Sequence, residues 1–517
     1  MYPCGGLAMS FFMGLSLVFL LWACGEALLP LTSTAPRSRW ESFSISFLLG
    51  AAVWTVTCTA FLALGIPFIL ALSGCLLGSG SCFALWGFSR RQGKSTPLYT
   101  TTALLPWQKI LLGTLGCLSL AVTLSLPINE FDPLLHFAYK GKVLHFEGSP
   151  LVESLTGMMA QDDVPMEFGR MVTHPNYPLG VPILEAFTSF GTSWSDRWAQ
   201  WPLALWALCI PGAVFFGLRR YSLKAAGHGA LLAACTPILY FRHLFADGFS
   251  SLQEAGLGNT MTLGAGADLP TAAMLTLACA LSLRARWEHC RRLGILSGLA
   301  LAGLVMMKNE GLALLGIFIL AGILAGTLCP KRCKGKVLGV SWLAVGVGIL
   351  GILPWLLLRA ELPAIDENYS SQISIERITH FLAGGEELVD LSPKVIAGQV
   401  TAKELLAETP SRPIQLLKAF GREFVDVFSW GLLWLLVLLS IPWRRWKQNK
   451  EQTWLALLVL GGLSLYALIL LVTPWYLPLL LEKGIPDRLM LHLLGPAAML
   501  AGIGLSSAKP ATTSTCD

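Results

Sequence analysis

The chain alternates between long apolar runs and short polar breaks along almost its whole length. Most of the runs hold about 17–25 residues, which is the length that an α-helix needs to cross a hydrocarbon core about 30 Å thick. We interpret about thirteen runs as membrane-spanning helices, at residues 5–29, 43–64, 66–88, 105–126, 197–217, 225–243, 268–284, 293–308, 311–328, 337–358, 425–442, 453–473 and 488–506. The pattern predicts an all-α polytopic membrane protein with outward-facing interfacial helices between some of the spans.

Basic residues mark one side of these predicted helices. Clusters of Lys and Arg fall in alternate loops, at residues 37–39, 90–94, 219–224, 284–292, 331–336 and 444–450. Positively charged loops stay on the cytoplasmic side of a membrane. We therefore expect the N-terminus outside and the C-terminus in the cytoplasm, and a bacterial inner (plasma) membrane as the location.

The composition agrees with a membrane protein. Hydrophobic residues make up 54% of the chain and charged residues 13%, whereas a soluble domain has about 25% charged residues. The formal net charge of +6 comes from the short loops beside the spans, so it does not indicate a nucleic-acid partner.

The polar material on the opposite side is concentrated in two long loops, residues 127–196 and 359–424. The predicted organisation is four parts: N-terminal helices (about four spans) at 1–126, a catalytic membrane core at 127–358 that begins with the first outer loop, the second outer loop at 359–424, and C-terminal helices at 425–517.

The first outer loop opens with "NEFDPLLHFAYKGKVLHFEG", which places Glu130, Asp132, His136 and Lys140 close to a predicted span. A carboxylate at the membrane boundary is costly to desolvate and tends to mark a functional site. The alternative is structural: Asp132 caps an interfacial helix whose first residue is Pro133.

Two further polar groups face the same side. In "THPNYPLGVPILEAF", His174 and Tyr177 lie among prolines that keep the backbone extended; a rigid connection into an interfacial helix is the alternative. In "GAGADLPTAAML", Asp268 precedes a predicted span, where it is either a site residue or a helix cap.

The last two groups are cationic. Lys308 and Glu310 in "LVMMKNEGLALL" lie at an outer turn still within membrane depth, and they either pair with each other or bind a lipid phosphate. Arg488 and His492 in "DRLMLHLLGP" are four residues apart and share a helix face. Arg488 either grips a phosphate or anchors to lipid headgroups.

All five groups fall at one depth on one face. We expect them to line an outward cavity in which acids activate an acceptor and cations hold an anionic, lipid-linked leaving group.

These motifs resemble the GT-C class of polytopic glycosyltransferases, in the branch that contains protein O-mannosyltransferases and the lipid A aminoarabinose transferase. The resemblance covers roughly residues 127–325 and 473–497. The chain departs from the class in two ways. The adjacent acidic pair of the class is here Glu130-Phe131-Asp132, and the acidic loop follows the fourth predicted span rather than the first, which suggests three added N-terminal helices.

The resemblance implies transfer of a sugar from a polyprenyl-phosphate-linked donor to a hydroxyl of a lipid, glycan or protein acceptor at the outer membrane face. It also implies that Asp132 is the catalytic base. Glu130 or Asp268 would tune its charge or hold a divalent cation. Lys308 and Arg488 would stabilise the leaving phosphate. Substrate would also contact the remaining candidates, which are His136, Lys140, His174, Tyr177, Glu310 and His492.

Two functions of other classes compete with this hypothesis. A transporter or lipid flippase predicts ionisable residues at mid-membrane and two related halves, whereas the sequence shows ionisable groups on one face and no half-repeat. A non-enzymatic scaffold would use 359–424 as a binding loop.

Overall fold

The computed structural model describes residues 4–29, 38–91, 106–125, 133–151, 176–240, 266–328, 334–362, 373–383, 385, 393–396, 398–443, 449–482 and 484–506. All the regular secondary structure in these ranges is helical. The α-helices of the first half are α1 Cys4–Leu28, α2 Arg39–Ala63, α3 Phe68–Arg91, α4 Pro106–Ser125, α5 Tyr139–Glu147, α6 Gly180–Thr188, α7 Asp196–Gln200, α8 Leu205–Leu218, α9 Leu223–Ala234, α10 Asp268–Trp287 and α11 Arg291–Met307. Those of the second half are α12 Glu310–Leu328, α13 Lys334–Ala360, α14 Ile375–Leu382, α15 Pro393–Ile396, α16 Ala402–Glu408, α17 Arg412–Val425, α18 Val427–Trp430, α19 Leu433–Ser440, α20 Lys450–Val472, α21 Leu477–Glu482, α22 Ile485–Leu491 and α23 Leu494–Leu505. A π-helix at Pro133–Ala138 precedes α5, and short 3-10 turns at Trp201–Ala204 and Pro237–Leu239 follow α7 and α9.

Several of these helices are long and apolar enough to cross a membrane. In the described ranges they are six, at Met9–Leu28, Arg39–Ala63, Trp198–Leu218, Glu310–Leu328, Trp342–Ala360 and Lys450–Val472. The bent pair α22 and α23 raises the number to seven if it counts as one span. The chain is an all-α integral membrane protein, as the hydrophobic pattern predicts; the count of about thirteen spans and the orientation stay predictions.

The helix α2 lies at the centre of the packing. It contacts α1, α8, α11 and α13, and 16 of its 25 residues are buried. Glycines bring α1 and α2 together: a methyl group on Gly25 would meet the backbone of Ser46, and one on Gly50 would meet the backbone of Leu21. Small residues at such contacts let transmembrane helices pack backbone to backbone. The first helices are thus part of the core, and the predicted four-part division of the chain stays a prediction.

A helical hairpin positions the residues of greatest interest. The helices α10 and α11 pack along each other and are joined by a turn at residues 288–290. A hydrogen bond of 2.8 Å between the Ser282 and Ser297 hydroxyls ties them together near that turn. The open end of the hairpin therefore carries Asp268, the first residue of α10, next to Lys308, the residue after α11.

Two predicted spans are interrupted. The span predicted at 488–506 is two helices, α22 and α23, with a bend of 62° between them. Pro496 has no amide N–H, so the carbonyl of His492 loses the bond that a continuous helix would give it, and the helix breaks there. The span predicted at 425–442 is divided between α18 and α19 by Gly431, whose φ of 57° favours glycine.

Candidate functional site

The carboxylate of Asp268 is the centre of a buried polar cluster. Its Oδ1 accepts hydrogen bonds from Lys308 Nζ at 2.7 Å and from His492 Nε2 at 2.9 Å. Its Oδ2 accepts from Arg488 Nε at 2.8 Å. The cap of α10 is Ala267, and no side chain caps that helix. Asp268 is therefore a binding partner of three side chains and not the helix cap that its position also allowed. We call Asp268, Lys308, Arg488 and His492 the carboxylate cluster.

The members of the carboxylate cluster come from distant parts of the chain. Lys308 adopts an extended backbone between α11 and α12. Glu310 begins α12, and its Oε1 lies 2.9 Å from Lys308 Nζ. The pairing of Lys308 with Glu310 that the sequence suggested is present, and it exists together with the longer-range pairing to Asp268. Arg488 and His492 share a helix face, as their spacing predicts, and both reach Asp268.

The carboxylate cluster is almost removed from solvent, with no member more than 9% exposed. Buried ions are tolerated only when each is paired and hydrogen-bonded. Here Asp268 sits in the first turn of α10, where the helix dipole also favours a negative charge. Together with Glu310, the carboxylate cluster thus holds two cations and two carboxylates that balance one another away from bulk water.

Tyr466 of α20 extends the cluster behind His492. Its hydroxyl lies 2.7 Å from His492 Nδ1, and both residues are fully buried. An ionised carboxylate can only accept, so His492 donates from Nε2–H to Asp268. The Tyr466 hydroxyl holds the other ring nitrogen and so helps to orient the ring toward Asp268. Sequence reasoning missed Tyr466, since a single Tyr inside an apolar run carries no distinguishing signal.

A second group forms around Lys140 on α5. Its Nζ donates to the backbone carbonyl of Tyr177 at 2.8 Å and lies 5.7 Å from the centre of the Tyr177 ring. The His136 ring meets the same ring edge-on at 5.2 Å. Lys140 is fully buried, and burial lowers the pKa of its ammonium well below the ordinary value. We call Lys140, His136 and Tyr177 the lysine cluster.

Lys140 differs from Lys308 in its partners. Within the described ranges, no carboxylate forms an ion pair with Lys140, and the Tyr177 carbonyl is its hydrogen-bond acceptor. A carbonyl carries only a partial charge and cannot neutralise an ammonium. Among the described residues, the lysine cluster thus lacks the counter-charge that would favour the protonated form of Lys140.

Glu185 on α6 is a buried carboxyl close to the lysine cluster. Neither of its oxygens has a hydrogen-bond partner among the described residues. A methyl group added to Gly141, the neighbour of Lys140, would lie 3.3 Å from Glu185 Oε2. Burial raises the pKa of Glu185 well above its ordinary value, and the charge of Asp196 adds to that rise. Sequence reasoning assigned Glu185 no role, although an acid within "PILEAF" was a visible signal.

The two clusters lie beside each other. Gly180, the first residue of α6, packs against the end of α11: a methyl group there would meet the carbonyl oxygen of Met306 at 2.5 Å. Lys308 follows two residues later, and Tyr177 is three residues before Gly180. The structure thus brings eight of the sequence candidates together. Seven of them form the two adjacent clusters, and the eighth, Glu310, is a partner of Lys308.

Three candidates fall outside the described residues, namely Glu130, Asp132 and His174. The role of Asp132 as catalytic base stays a prediction. In the described ranges no three His, Cys, Asp or Glu side chains come together in a way that could hold a metal ion, and the divalent cation suggested for Glu130 or Asp268 also stays a prediction.

The comparisons with known proteins found similarity in structure and none in sequence. No protein-family model matches the chain, and no curated protein matches its sequence. Among solved structures, ArnT from Cupriavidus metallidurans bound to undecaprenyl phosphate aligns with a TM-score of 0.43 and 12% identity over 79% of this chain and 61% of that chain. The archaeal oligosaccharyltransferase AglB from Archaeoglobus fulgidus, in complex with an inhibitory peptide and a dolichol-phosphate, aligns with a TM-score of 0.40 and 12% identity over 78% of this chain and 50% of that chain.

The chain thus spans between half and two thirds of the length of these two proteins.

Proposed function

We propose that this chain is a membrane glycosyltransferase that moves a sugar from a polyprenyl-phosphate-linked donor to an acceptor hydroxyl at the outer face of a bacterial inner membrane. In the reaction, the acceptor oxygen bonds to the anomeric carbon and the bond between that carbon and the phosphate oxygen breaks. The acceptor proton passes to a base, for which Asp132 is our candidate. The polyprenyl phosphate leaves as the monoester.

The observation that carries the proposal is the convergence of Lys308, Arg488 and His492 on Asp268. Ionisable groups buried in a membrane protein are costly and mark functional sites by default. The reaction creates negative charge on the departing phosphate, and fixed cations in a water-poor place stabilise such charge best. Asp268 and Glu310 hold the cations of the carboxylate cluster in position before substrate arrives.

The two lysines have different parts in this proposal. Lys308 is already neutralised by Asp268 at 2.7 Å and Glu310 at 2.9 Å. Lys140 has a carbonyl in place of a carboxylate. We therefore assign Lys140 as the principal contact of the donor phosphate, with Lys308 and Arg488 forming the charged wall beside it. An arriving phosphate would also favour the protonated form of Lys140, against the effect of burial.

A transfer assay with defined donors tests the proposal. The purified full chain is reconstituted in vesicles with an undecaprenyl-phosphate-linked sugar from a panel of hexoses and aminopentoses. We expect one member to release undecaprenyl phosphate in a manner that depends on the protein and on an added acceptor. The matched control is the Lys140→Met variant, which keeps side-chain length and loses the ammonium.

Binding of undecaprenyl phosphate alone gives a second, donor-independent measurement. We expect the wild-type chain to bind it and Lys140→Met to bind it at least ten times more weakly, which is a loss of about 1.4 kcal/mol. Equal binding by the two proteins, or no release with any donor, would contradict the proposal.

A transporter remains a second candidate because of one observation. The site adjoins the broken helix α22–α23 with its bend of 62°, and discontinuous helices at a binding site are typical of transporters. The same vesicles distinguish the two functions. A transporter moves the lipid-linked sugar across the bilayer with its phosphate bond intact, whereas a transferase breaks that bond.

A further inference from the structure

The helix α17 is fixed to the end of a membrane-spanning helix. Arg412, fully buried at its first position, donates to the carbonyl oxygens of Leu471 at 3.0 Å, Thr473 at 2.7 Å and Trp475 at 3.1 Å. The last carbonyls of a helix lack partners within it, so Arg412 caps the C-terminal end of α20. Arg377 of α14 does the same for the carbonyl of Val472 at 3.0 Å.

The other end of α17 leads toward a predicted span. Val425 is followed by α18 and α19, which occupy the interrupted span that the sequence predicts at 425–442. On that predicted topology, both ends of a helix of 14 residues, about 21 Å long, lie where membrane helices begin or end, and α17 runs along the membrane plane.

The inner face of α17 contacts the protein and holds polar groups. Gln415, Leu416, Ala419 and Glu423 are buried, and Trp430 Nε1 donates to Glu423 Oε2 at 3.1 Å. This face packs on α14, α19, α20 and α22. The helix is therefore anchored over the end of the molecule that carries Arg488.

The outer face of α17 is apolar, and no described part of the chain covers it. Leu417 and Val425 are each 75% exposed, and Ile414 is exposed as well. Gly421 lies between them with open space around it. Spacings of three, four and seven residues place all four positions on one side of the helix, and we call these four positions the stripe. A soluble surface would hold polar residues there.

The chain continues from α17 into a predicted span that also exposes apolar side chains. Leu435 and Leu439 of α19 are exposed apolar residues on a predicted span, and the exposed Phe428 lies between that helix and α17. Two cations accompany the stripe: Lys418 is exposed on the same side, and Arg422 has a side chain that is 66% exposed. An apolar stripe flanked by Lys and Arg is typical of a helix that lies in an anionic lipid interface.

We propose that α17 is an in-plane helix that inserts Ile414, Leu417 and Val425 into the lipid leaflet at the C-terminal end of α20, which the predicted orientation makes the outer leaflet. Lys418 and Arg422 bind the phosphates of anionic lipids there. The partner is the bilayer surface itself. This segment of the predicted outer loop thus anchors part of the protein to the membrane beside the candidate site, whatever reaction that site performs.

Fluorescence quenching from the lipid side tests the proposal. A fluorescent amino acid replaces Leu417 in the full chain, held in nanodiscs of phosphatidylcholine and phosphatidylglycerol whose acyl chains carry bromine. The matched control places the same fluorophore at Lys403 of α16, an exposed position away from the stripe. We expect bromine to quench position 417 at least roughly threefold more than position 403, and aqueous iodide to do the reverse.

A second labelled position and a charge-removing double variant complete the test. A fluorophore at Val425 repeats the measurement if the change at Leu417 prevents folding. The Lys418→Gln/Arg422→Gln double variant should lose the additional quenching that phosphatidylglycerol gives over pure phosphatidylcholine. Iodide quenching at 417 and 425 equal to that at 403 would overturn the proposal and leave the stripe to a soluble partner. Quenching that does not depend on lipid charge would overturn the role of the two cations.

Discussion

Lys308 and Lys140 are both buried, and their environments are opposite. Lys308 has two carboxylates within ion-pair distance, Asp268 at 2.7 Å and Glu310 at 2.9 Å. Lys140 has the carbonyl of Tyr177 at 2.8 Å. Close to Lys140, Glu185 is a carboxyl whose two oxygens have no partner among the described residues. Among the described residues, the lysine cluster and its neighbour therefore hold an amine and a carboxyl group that lack counter-charges, while the charges of the carboxylate cluster and Glu310 balance.

Lys140 and Glu185 do not pair with each other because they lie on different sides of α5. Lys140 and Gly141 are adjacent on α5, so their side-chain directions differ by about 100°. Lys140 points to Tyr177, and Glu185 lies against Gly141. Under the proposed function, the carboxylate cluster is structural support and the lysine cluster binds the phosphate. The physical reason is that a cluster of balanced charges gains little from a phosphate, whereas an amine beside a carbonyl gains a counter-charge.

The largest effect should come from breaking the balanced region. Asp268→Asn keeps the side-chain shape and leaves Lys308 and Arg488 without their shared carboxylate. Removing one partner of a buried ion pair costs about 3–5 kcal/mol, and we expect a loss of that size in the free energy of unfolding, together with a loss of transfer. Denaturant unfolding of the detergent-solubilised protein measures the first quantity, and the vesicle assay measures the second.

The control is a partly buried pair at the other end of the α10–α11 hairpin. Glu288 accepts from the buried Arg284 at 2.6 Å from Nε, so Glu288→Gln also destabilises the fold, because it leaves Arg284 without this carboxylate. Transfer per folded molecule should survive in Glu288→Gln and disappear in Asp268→Asn. An Asp268→Asn protein of normal stability would show that the carboxylate cluster is not the support that we infer.

The second prediction compares the two lysines directly. Lys140→Met removes a buried amine that has no carboxylate partner in the described ranges, so the free energy of unfolding should equal or exceed that of the wild type. Transfer should fall about 100-fold, the usual cost of losing one group that stabilises developing charge. Lys308→Met should instead lower the free energy of unfolding by about 3 kcal/mol, since it leaves the carboxylates of Asp268 and Glu310 in place with one cation fewer. Unfolding and transfer are measured on both variants.

The opposite order of effects would reverse the assignment. If Lys140→Met unfolds readily while Lys308→Met stays stable, then Lys140 has a structural partner and Lys308 is the cation reserved for substrate. That result would return the phosphate contact to Lys308, as the sequence alone suggested.

The sequence predicts much of the carboxylate cluster. The spacing of Arg488 and His492, and the position of Asp268 and Lys308 at the same ends of successive spans, follow from helix geometry and from the alternation of basic loops. The sequence pattern does not show which of these side chains contact one another. Asp268 could cap its helix or bind cations, and only the folded structure shows that Arg488, 220 residues away, reaches it.

Other features had weaker signals in the sequence. The break between α22 and α23 depends on Pro496 within an otherwise apolar run, and such a proline can also be accommodated as a kink. Tyr466 and Glu185 are single polar residues in apolar segments, whose significance comes from neighbours distant in the chain. The role of α17 depends on which of its faces the protein covers, and an amphipathic pattern alone does not decide that.

The smallest effect, and the finest test of the comparison, is the pH dependence of stability. The pKa of Glu185 is raised by burial, so the folded protein keeps a proton that the unfolded chain releases as pH rises past the ordinary value for Glu. Stability from this group is therefore greatest at low pH and is lost as pH rises through the raised pKa. Glu185→Gln cannot ionise, and at alkaline pH we expect it to exceed the wild type by about 1 kcal/mol, with a smaller difference at acidic pH. The thermal midpoint in detergent from about pH 5 to about pH 9 measures this.

Lys140→Met in the same series gives the opposite sign. The pKa of Lys140 is lowered by burial, so its unfavourable contribution is full at low pH and fades as pH rises; the gain from Lys140→Met should be largest in acid. The exposed Glu147 on α5, changed to Gln, controls for the loss of one negative charge and should leave the profile of the wild type. Parallel profiles for the Glu185 and Lys140 variants would mean that both groups already have counter-charges, and the contrast between the two regions would then have no physical basis.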